Sequence, residues 1–286
     1  MKKIYKISER VDTYTDEETG EVIGEERYPI NNKSKDDYKT IKGTNNFMNN
    51  NLGYFFHLFF GNVLKLDLEP QMLIRFLKLC TYMNYDNILV KGNTKGQRKI
   101  RENELQGILK LNRAEFYKTK KYLLENNLII IKDDMIKINN KFAKRGKIKG
   151  GASDKEVVRV FNEFQKLYDG VKPNQHKKLF VFIKILPYLN VRFNILCKNP
   201  YENEIERVKP ISWTELGKEI GLSSRTTKRL KTELWSLRIN NSVVIGEFST
   251  FLCGKAIVIN PSIYYKSNNI ESLKGIIDLF KISSRE

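Results

Sequence analysis

Hydrophobic positions recur along this chain in two matching series. Residues 76–84 align without a gap on residues 182–190, with apolar side chains at the same places in both segments. Further along, Leu109 aligns on Ile220, and the match continues in one register to Leu128. Each series closes on a short apolar strand that ends in Ile-Asn. A repeat of hydrophobic positions in a fixed register predicts one folding unit used twice.

Each series predicts the same order of elements: a helix, a short second helix, a tight turn, a third helix and a β-hairpin. Apolar residues at helical spacing mark the helices, and short apolar runs mark the strands. Asn112, and then Ser223 or Ser224, stand where a side chain can cap the third helix. The predicted helices span about 69–84, 101–109 and 113–126, then 177–189, 213–220 and 224–237, and the strands span 128–131 and 135–138, then 243–245 and 256–259. This order is typical of a winged helix-turn-helix.

The predicted fold class is α+β and mainly helical, with two winged helix-turn-helix domains in tandem and an N-terminal β-hairpin extension. The hairpin is expected from strands over 11–15 and 21–23, with Gly20 suited to the positive φ of a tight turn. The predicted boundaries are 1–51 for the hairpin and a polar connection, 52–140 for the first winged-helix domain, 141–153 for a basic flexible linker, 154–267 for the second winged-helix domain with a leading amphipathic helix over 154–168, and 268–286 for a C-terminal amphipathic helix.

Charge is the strongest signal in the composition of the chain. The formal net charge is +18, from 51 Lys and Arg against 33 Asp and Glu. Residues 1–60 carry 9 basic and 10 acidic side chains, so the excess lies in the two repeated domains. A basic excess attracts polyanions, and the release of condensed counterions drives association with nucleic acid. A lysine-rich proteome, such as an AT-rich genome encodes, is the alternative source of the charge, but that bias alone does not concentrate the charge in two domains.

Membrane association is the competing interpretation of a basic protein. It requires an amphipathic basic helix outside the folded core, and the sequence offers no convincing one. The longest apolar stretches, around 52–68 and 179–189, contain polar residues and fall short of the roughly 18 to 20 residues that span a bilayer. No apolar signal core follows the basic N-terminus. We therefore expect a cytoplasmic protein with no membrane partner.

The third helix of the second domain is the candidate DNA-reading element. Thr227, Leu230 and Leu234 recur at helical spacing and are expected to face the core. The residues predicted to lie outside are Ser224, Arg225, Lys228, Arg229, Lys231 and Thr232. Arg and Lys can pair with guanine edges or with phosphates, and Ser or Thr can reach either. The alternative is a solvated charged face, which any surface helix can show.

The equivalent helix of the first domain and the linker supply further candidates. The predicted outer residues of that helix are Arg113, Tyr117, Lys118, Lys120 and Lys121. Glu115 near its start would repel phosphate, so dimerisation or phosphate contact is the alternative to base reading there. In the linker, Arg145, Lys147 and Lys149 could follow the DNA backbone or lie in a minor groove, as basic arms do. An ordinary soluble linker is the alternative.

Groups that would support catalysis are missing from the sequence pattern. His57 and His176 have no second metal ligand or nucleophile nearby in sequence, and the three cysteines have neither metal-ligand spacing nor a disulfide framework. The basic loop over 91–99 lacks the Gly-Lys-Ser/Thr order of a phosphate-binding loop. We therefore expect a protein that is not an enzyme and that uses no metal and no cofactor. Scattered carboxylates of an unrecognised enzyme are the remaining alternative.

Four segments together resemble a known class of proteins: the acidic hairpin at 16–22, the helix at 76–84, the turn and helix at 109–128, and the strand that closes on Asn139. Over about residues 10–147 they resemble replication proteins of plasmids and phages from low-GC Gram-positive bacteria. The tandem layout is also similar to that of two-winged-helix plasmid initiators, in which one unit dimerises and both can contact repeated origin sites. The resemblance implies origin or operator binding without catalysis.

The sequence thus predicts a sequence-specific double-stranded DNA-binding protein, a plasmid or phage replication initiator that binds origin repeats without catalysis. A transcriptional regulator of a mobile element is the first alternative. The second is a winged-helix interaction scaffold for a replisome or polymerase partner, with DNA contact incidental. Double-stranded DNA is the expected partner, and a homodimer and host replication proteins are the further partners left open.

Overall fold

The computed structural model describes residues 8–15, 22–30, 46–92, 96–146, 148, 156–239, 242–250, 252–267 and 269–282. The fold is α+β, and its sheets are small and antiparallel. The chain divides into two compact units, Met1–Asn46 and Phe47–Glu286. All the described residues of the candidate DNA-binding set lie in the second unit.

The N-terminal unit contains one antiparallel pair of strands in its described part. β1 (Ser8–Thr15) pairs with β2 (Val22–Ile30), with Ser8 opposite Ile30 and a register shift after Tyr14. The pairing confirms the two predicted strands and extends the second one. The predicted turn at 16–20 lies outside the described residues.

The second unit opens with a first copy of the repeat, residues 55–144, preceded by the helical residues 47–52 (α1). Its elements are β3 (Phe55–Phe59), α2 (Phe60–Leu64), α3 (Pro70–Cys80), β4 (Val90–Lys91), β5 (Arg98–Lys99), a 3-10 turn (Glu102–Glu104), α4 (Leu105–Leu109), α5 (Arg113–Glu125), β6 (Ile129–Lys132), β7 (Met135–Ile138) and β8 (Ala143–Lys144). The predicted third helix and the hairpin after it are confirmed as α5, β6 and β7. The Asn112 side chain caps α5, accepting a hydrogen bond from the N–H of Glu115 at 2.9 Å.

The second copy, residues 157–265, is followed by a C-terminal helix. Its elements are β9 (Val157–Phe161), α6 (Phe164–Asp169), a 3-10 helix (Pro173–Phe180), α7 (Val181–Lys184), 3-10 turns (Leu186–Tyr188 and Ile205–Arg207), α8 (Trp213–Glu219), α9 (Ser224–Ser236), β10 (Arg238–Ile239), β11 (Ser242–Val243), β12 (Ile245–Thr250), β13 (Gly254–Ile259) and β14 (Tyr264–Tyr265), and the last helix is α10 (Ile270–Ile282). The predicted short helix and third helix are confirmed as α8 and α9. The predicted hairpin is confirmed in part: its second strand is β13, but of the first strand expected over 243–245 only Ile245 belongs to β12, and Val243 lies in β11. α10 confirms the predicted C-terminal helix.

The helix predicted over 177–189 is broken into three pieces. The 3-10 helix Pro173–Phe180 runs into α7, and a second 3-10 turn, Leu186–Tyr188, follows. Pro187 lacks the backbone N–H that an α-helix would direct to the carbonyl four residues earlier. The α-helical hydrogen bonds therefore end before it.

The helix predicted over 154–168 is wrong in its first part, which is strand β9. The strand lies between β3 and β14, and four of its five side chains are buried. Val157, Val158 and Val160 are β-branched residues that suit a strand. A strand covered on both faces gives a continuous apolar run, which periodicity does not distinguish from a buried helix. Only α6, in the second part, is helical.

Part of the predicted flexible linker, 141–153, is also a strand. β8 pairs with β3, with Lys144 opposite His57 and Ala143 opposite Leu58. Ala143 is fully buried, because this strand completes one edge of the sheet. Residues 147 and 149–155 lie outside the described part of the chain.

The two copies meet in a four-stranded antiparallel sheet with the order β14-β9-β3-β8. Its central strands pair with His57 opposite Arg159. His57 also pairs with Lys144 of β8, and Arg159 pairs with Tyr265 of β14. Equivalent strands that run antiparallel with equivalent residues opposite each other are related by a local two-fold axis. Here that axis passes through the His57–Arg159 pair.

Matching hydrogen bonds show that the repeat extends to the detail of the backbone. Asn87 and Asn194 are both buried and both have positive φ, 63° and 54°. The Asn87 Nδ2 donates to the carbonyl of Ala143 at 2.9 Å, and the Asn194 Nδ2 donates to the carbonyl of Tyr264 at 2.8 Å. Each amide therefore ties the middle of its copy to the edge strand of the shared sheet.

The hydrophobic core lies along the junction of the copies. One cluster runs from Phe56 in the first copy to Ile259 in the second. A second cluster lies beneath α10, whose Leu273 and Phe280 are buried. Among the helices in the described ranges, none combines the length and the apolar character of a membrane span.

Candidate nucleic-acid interface

Helices α8 and α9 meet at a turn that fixes the direction of α9. The Ser223 hydroxyl accepts a hydrogen bond from the N–H of Thr226 at 3.2 Å and so caps the helix. Gly221 has φ +76°, a left-handed conformation that costs glycine nothing. Lys110 takes the same place in the first copy with φ 53°.

The two helices also approach closely. A β-carbon at Gly217 of α8 would overlap the side chain of Thr227 in α9. Thr227 is buried, and its hydroxyl donates to the carbonyl of Ser223 at 2.9 Å. Leu234 is buried further along the helix, with Leu230 half-buried between them. The inner face of α9 is therefore the one that its periodicity predicts.

The opposite face of α9 is exposed to solvent. Its exposed side chains from the predicted set are Ser224, Arg225, Lys228, Arg229 and Thr232. At about 100° per residue they fall within one arc of the helix. The first two turns thus present three cations and a hydroxyl on a single face.

Few carboxylates of the protein lie close to the cations of this face. Arg225 and Lys228 have no ion pair within the described residues. Arg229 Nε lies 3.7 Å from Glu233 Oε1, but the Arg229 side chain is 73% exposed. Glu233 Oε1 also lies 3.1 Å from Lys178 Nζ. Exposed pairs of this kind are worth little, so Arg229 stays available to an external anion.

Lys231 departs from its prediction as a DNA-facing residue. Its side chain is half-buried, with Nζ 3.0 Å from Glu247 Oε2 on β12. The same ammonium lies 4.3 Å from the centre of the Trp235 ring. The ion pair with Glu247 links α9 to the β12–β13 hairpin, whereas the cation–π contact with Trp235 lies within α9 itself. Lys231 is therefore a packing residue in the structure.

Helix α5 presents a different surface in the first copy. Arg113, Tyr117, Lys118 and Lys121 are exposed, as predicted. Lys118 Nζ lies 3.6 Å from Glu69 Oε2, and Lys121 Nζ lies 3.8 Å from Glu125 Oε1. The Arg113 guanidinium lies 5.8 Å from the Tyr117 ring centre. Lys118 and Lys121 of α5 therefore have carboxylate neighbours, as Lys231 of α9 does, whereas Lys228 of α9 has none among the described residues.

The start of α5 is tied to a buried arginine. Arg75 of α3 is 2% exposed and donates to Thr119 Oγ1 at 2.7 Å and to Glu115 Oε2 at 3.0 Å. Glu115, which the sequence marks as repelling phosphate, thus serves as the counter-ion of a buried cation. Local sequence spacing does not predict this contact, since Arg75 and Thr119 are 44 positions apart.

The predicted basic arm is partly built into the protein. Arg145 is half-buried, and its Nη2 donates to Asn162 Oδ1 at 2.8 Å. Burial lowers the pKa of Arg145, and the side chain bridges the two copies. The prediction of a free arm is therefore wrong for this residue. Lys147 and Lys149 lie outside the described residues.

A second contact between the copies was missed by sequence reasoning. Asp169, at the end of α6, accepts from Lys78 Nζ at 2.9 Å and lies 3.3 Å from Lys110 Nζ. The Tyr168 hydroxyl donates to the carbonyl of Leu109 at 2.8 Å. Burial lowers the pKa of Lys78, and the Asp169 carboxylate opposes that change. The turn before α5 is therefore held by the other copy.

The side chain of His176 is buried, and that of His57 is half-buried. Burial lowers the pKa of His57 and of His176 to about 4 each. His176 stacks on Tyr168 with ring centres 4.1 Å apart. In the part of the chain that the structure describes, no three His, Cys, Asp or Glu side chains are grouped so that they could hold a metal ion.

Among known proteins, no family model, no curated protein and no solved structure matches this chain. The candidate interface thus depends on its own geometry. That geometry is a capped helix, fixed from behind by Thr227 and Leu234, with Arg225, Lys228 and Arg229 on its outer face.

Proposed function

We propose that this protein binds double-stranded DNA sequence-specifically and that α9 is the recognition helix. The observation that carries the proposal is the row of exposed cations, Arg225, Lys228 and Arg229, on a helix that is capped and fixed from behind. A recognition helix needs this division between an anchored face and an exposed polar face. The net charge of +18 favours the same partner, because it adds an attraction to any polyanion.

We propose that each copy is a winged helix-turn-helix. In this interpretation α8 and α9 are the helix-turn-helix of the second copy and β12–β13 is its wing. The lengths support it, since α9 has 13 residues and can present its first turns to a major groove about 12 Å wide. Arg225 and Arg229 would pair with guanine edges, while Ser224 and Thr232 would contact bases or phosphates.

We propose replication initiation at a plasmid or phage origin as the biological role. The resemblance in residues 10–147 and the two copies of one unit support it, because repeated origin sites suit a protein with two DNA-binding heads. A transcriptional regulator would use the same interface, and iterated repeats beside the gene would favour initiation. An interaction scaffold, by contrast, would leave Arg225 and Lys228 without a role in DNA affinity.

The test is the affinity of the Arg225→Ala/Lys228→Ala double variant for a duplex selected by the unaltered protein. We expect the dissociation constant to rise more than tenfold, because each good base contact is worth about 1 to 3 kcal/mol. Lys118→Ala/Lys121→Ala is the matched control, since it removes two cations from the equivalent helix α5. An unchanged affinity in the α9 variant would contradict the assignment of α9, and a loss confined to the α5 variant would move the recognition helix to the first copy.

A further inference from the structure

We infer that the β4–β5 hairpin and Arg101 form a second DNA contact, which binds the sugar–phosphate backbone and does not read bases. We call Lys91, Arg98, Lys99 and Arg101 the hairpin cations. The inference rests on the proposed function, because it assigns part of the same duplex to the first copy. It adds a site that lies outside both α5 and α9.

The described part of the hairpin consists of two paired strands of two residues each. Val90 pairs with Lys99, and Lys91 pairs with Arg98. Gly92 has φ +101°, and a β-carbon there would lie 2.7 Å from the carbonyl oxygen of Gly96. The close approach requires glycine at this position, and the strand pairing places Lys91, Arg98 and Lys99 on a paired backbone.

One carboxylate anchors the hairpin to the start of α4. Glu104 accepts both arms of the Arg98 guanidinium, at 2.7 and 2.8 Å, and the backbone N–H of Arg101 at 3.1 Å. These hydrogen bonds lower the pKa of Glu104 to about 2, so it stays ionised. Lys91 Nζ lies 3.7 Å from the same carboxylate.

Two of the hairpin cations have no carboxylate partner among the described residues. Lys99 and Arg101 are both exposed, and neither has an ion pair within the described ranges of the chain. Free cations on a fixed hairpin are what a phosphate contact requires, because a phosphate then replaces only water and counterions.

The hairpin is also connected to the exposed side of α5. Lys120 Nζ of α5 lies 2.6 Å from Glu102 Oε1, in the turn that follows Arg101. The same ammonium lies 5.7 Å from the ring centre of Tyr117, an exposed residue of α5. A duplex that touches the outer face of α5 would therefore meet Arg101 as its next neighbour.

An open groove of about 650 Å³ marks the place where a strand of the backbone would lie. Its lining is Arg98, Lys99, Arg101, Asn103, Glu104 and Asp134. Asp134 comes from the turn between β6 and β7 and opposes the cations from the other wall. The cationic wall is thus the one on which a phosphate would be held, and Asp134 weakens that attraction.

The corresponding segment of the second copy has no such excess. Between Lys198 and Lys209 it carries three glutamates, at 202, 204 and 206, against three cations. Lys198 pairs with Glu215, which is the counterpart of Glu104. Arg207 Nε lies 3.4 Å from Glu204 Oε2. The backbone contact is therefore a property of the first copy alone.

The test uses the full chain with Lys99→Ala/Arg101→Ala and measures duplex affinity over a series of salt concentrations. We expect affinity for a selected duplex and for a random duplex to fall by the same factor, about tenfold at low salt. The slope of log affinity against log salt should decrease by about 1 to 2, since each phosphate contact contributes roughly 0.9. Asp134→Asn should strengthen binding to both duplexes.

Arg207→Ala/Lys209→Ala is the matched control, because it removes two cations from the equivalent place in the second copy. An unchanged slope in the hairpin variant, or an equal decrease in the control, would overturn the inference. Lys99→Gln/Arg101→Gln repeats the test with longer side chains if the alanine variant unfolds at a lower temperature. Failure of the unaltered protein to bind any duplex would instead refute the proposed function.

Discussion

Helices α5 and α9 occupy the same place in their two copies, yet they carry their charges differently. Both begin with a capping side chain, Asn112 or Ser223, after a residue in the left-handed conformation. On α5, Lys118 and Lys121 have carboxylate neighbours within 4 Å; on α9, Arg229 and Lys231 have such neighbours, but Arg225 and Lys228 have none in the described chain. The comparison teaches that two copies of one scaffold can differ in which cations stay free through the placement of a few carboxylates.

The two copies also differ behind these helices. At the aligned positions of the first helix, the first copy has the buried Arg75 and the second has Val181. Lys78 and Lys184 also align, but Lys78 pairs with Asp169 of the other copy, while Lys184 donates to the carbonyl of Ile220 at 3.1 Å. At these two positions the first copy thus has buried cations paired with carboxylates, and the second has an apolar residue and a lysine bonded to a backbone carbonyl.

Of the changes that test this difference, removal of the counter-ion of Lys78 is expected to have the largest effect on stability. We expect Asp169→Ala to lower the free energy of unfolding by about 2 to 4 kcal/mol, because it leaves a buried ammonium without a partner. Urea denaturation measures the change. Glu233→Ala is the control, since Glu233 is as exposed as Asp169 and also lies near two cations, but those cations, Lys178 and Arg229, are themselves exposed. There the loss should stay below about 1 kcal/mol. Equal losses in the two variants would contradict the account.

A smaller effect is expected where the helices of the turn touch. Gly217→Ala places a methyl group on Thr227 and should cost about 1 to 3 kcal/mol of unfolding free energy. Gly107→Ala in the short helix α4 meets open space and should leave stability unchanged or raise it slightly. Thermal unfolding of the two variants measures the contrast. A stable Gly217→Ala protein would show that α8 and α9 are not in close contact.

The smallest effect concerns a lysine that follows β14 and its counterpart after β8. Lys266 is buried, donates to the carbonyls of Leu186 and Leu189 at 2.8 and 3.0 Å, and has its pKa lowered by burial to about 7. Arg145, at the aligned position, keeps its charge at all ordinary pH values.

Because the folded pKa of Lys266 lies below its ordinary value of 10.5, the unfolded chain binds the proton more readily between those values. Above about pH 10.5 the side chain is neutral in both states and its burial does not lower the free energy of unfolding. As the pH decreases from 10.5 towards 7, the unfolded chain takes up the proton and the free energy of unfolding falls. Between about pH 7.5 and 8.5 we expect the unfolding free energy to rise by about 1 kcal/mol more in the unaltered protein than in Lys266→Met. Parallel curves for the two proteins would refute this contribution.

Local patterns predicted the parts of the fold that depend on neighbouring residues. The caps at Asn112 and Ser223, the inner face of α9 and the two hairpins follow from spacing within one or two turns. Strand β9 was not predictable in this way, because its identity depends on pairing with β3, about a hundred positions earlier. Pro187 indicates a break in the helix, whereas the alignment of its segment with residues 76–84 predicts a continuous one.

Charge pairing was the part of the candidate site that the sequence could not supply. Lys231 looks like its neighbours on the helix, and only the fold brings Glu247 against it. In the sequence, Arg145 similarly resembles a linker residue, and only the fold brings Asn162 beside it. The Lys78–Asp169 pair joins positions 91 apart. Such pairs decide which cations remain free, so they decide the interface as well.

The most direct test of the central claim is selection of bound duplexes from a random pool, carried out in parallel with the unaltered protein, Arg225→Ala and Lys118→Ala. The account predicts one enriched motif for the unaltered protein, the same motif for Lys118→Ala, and a motif with at least one relaxed base position for Arg225→Ala. An identical motif in all three selections, or none in the first, would contradict the claim that α9 reads the DNA sequence.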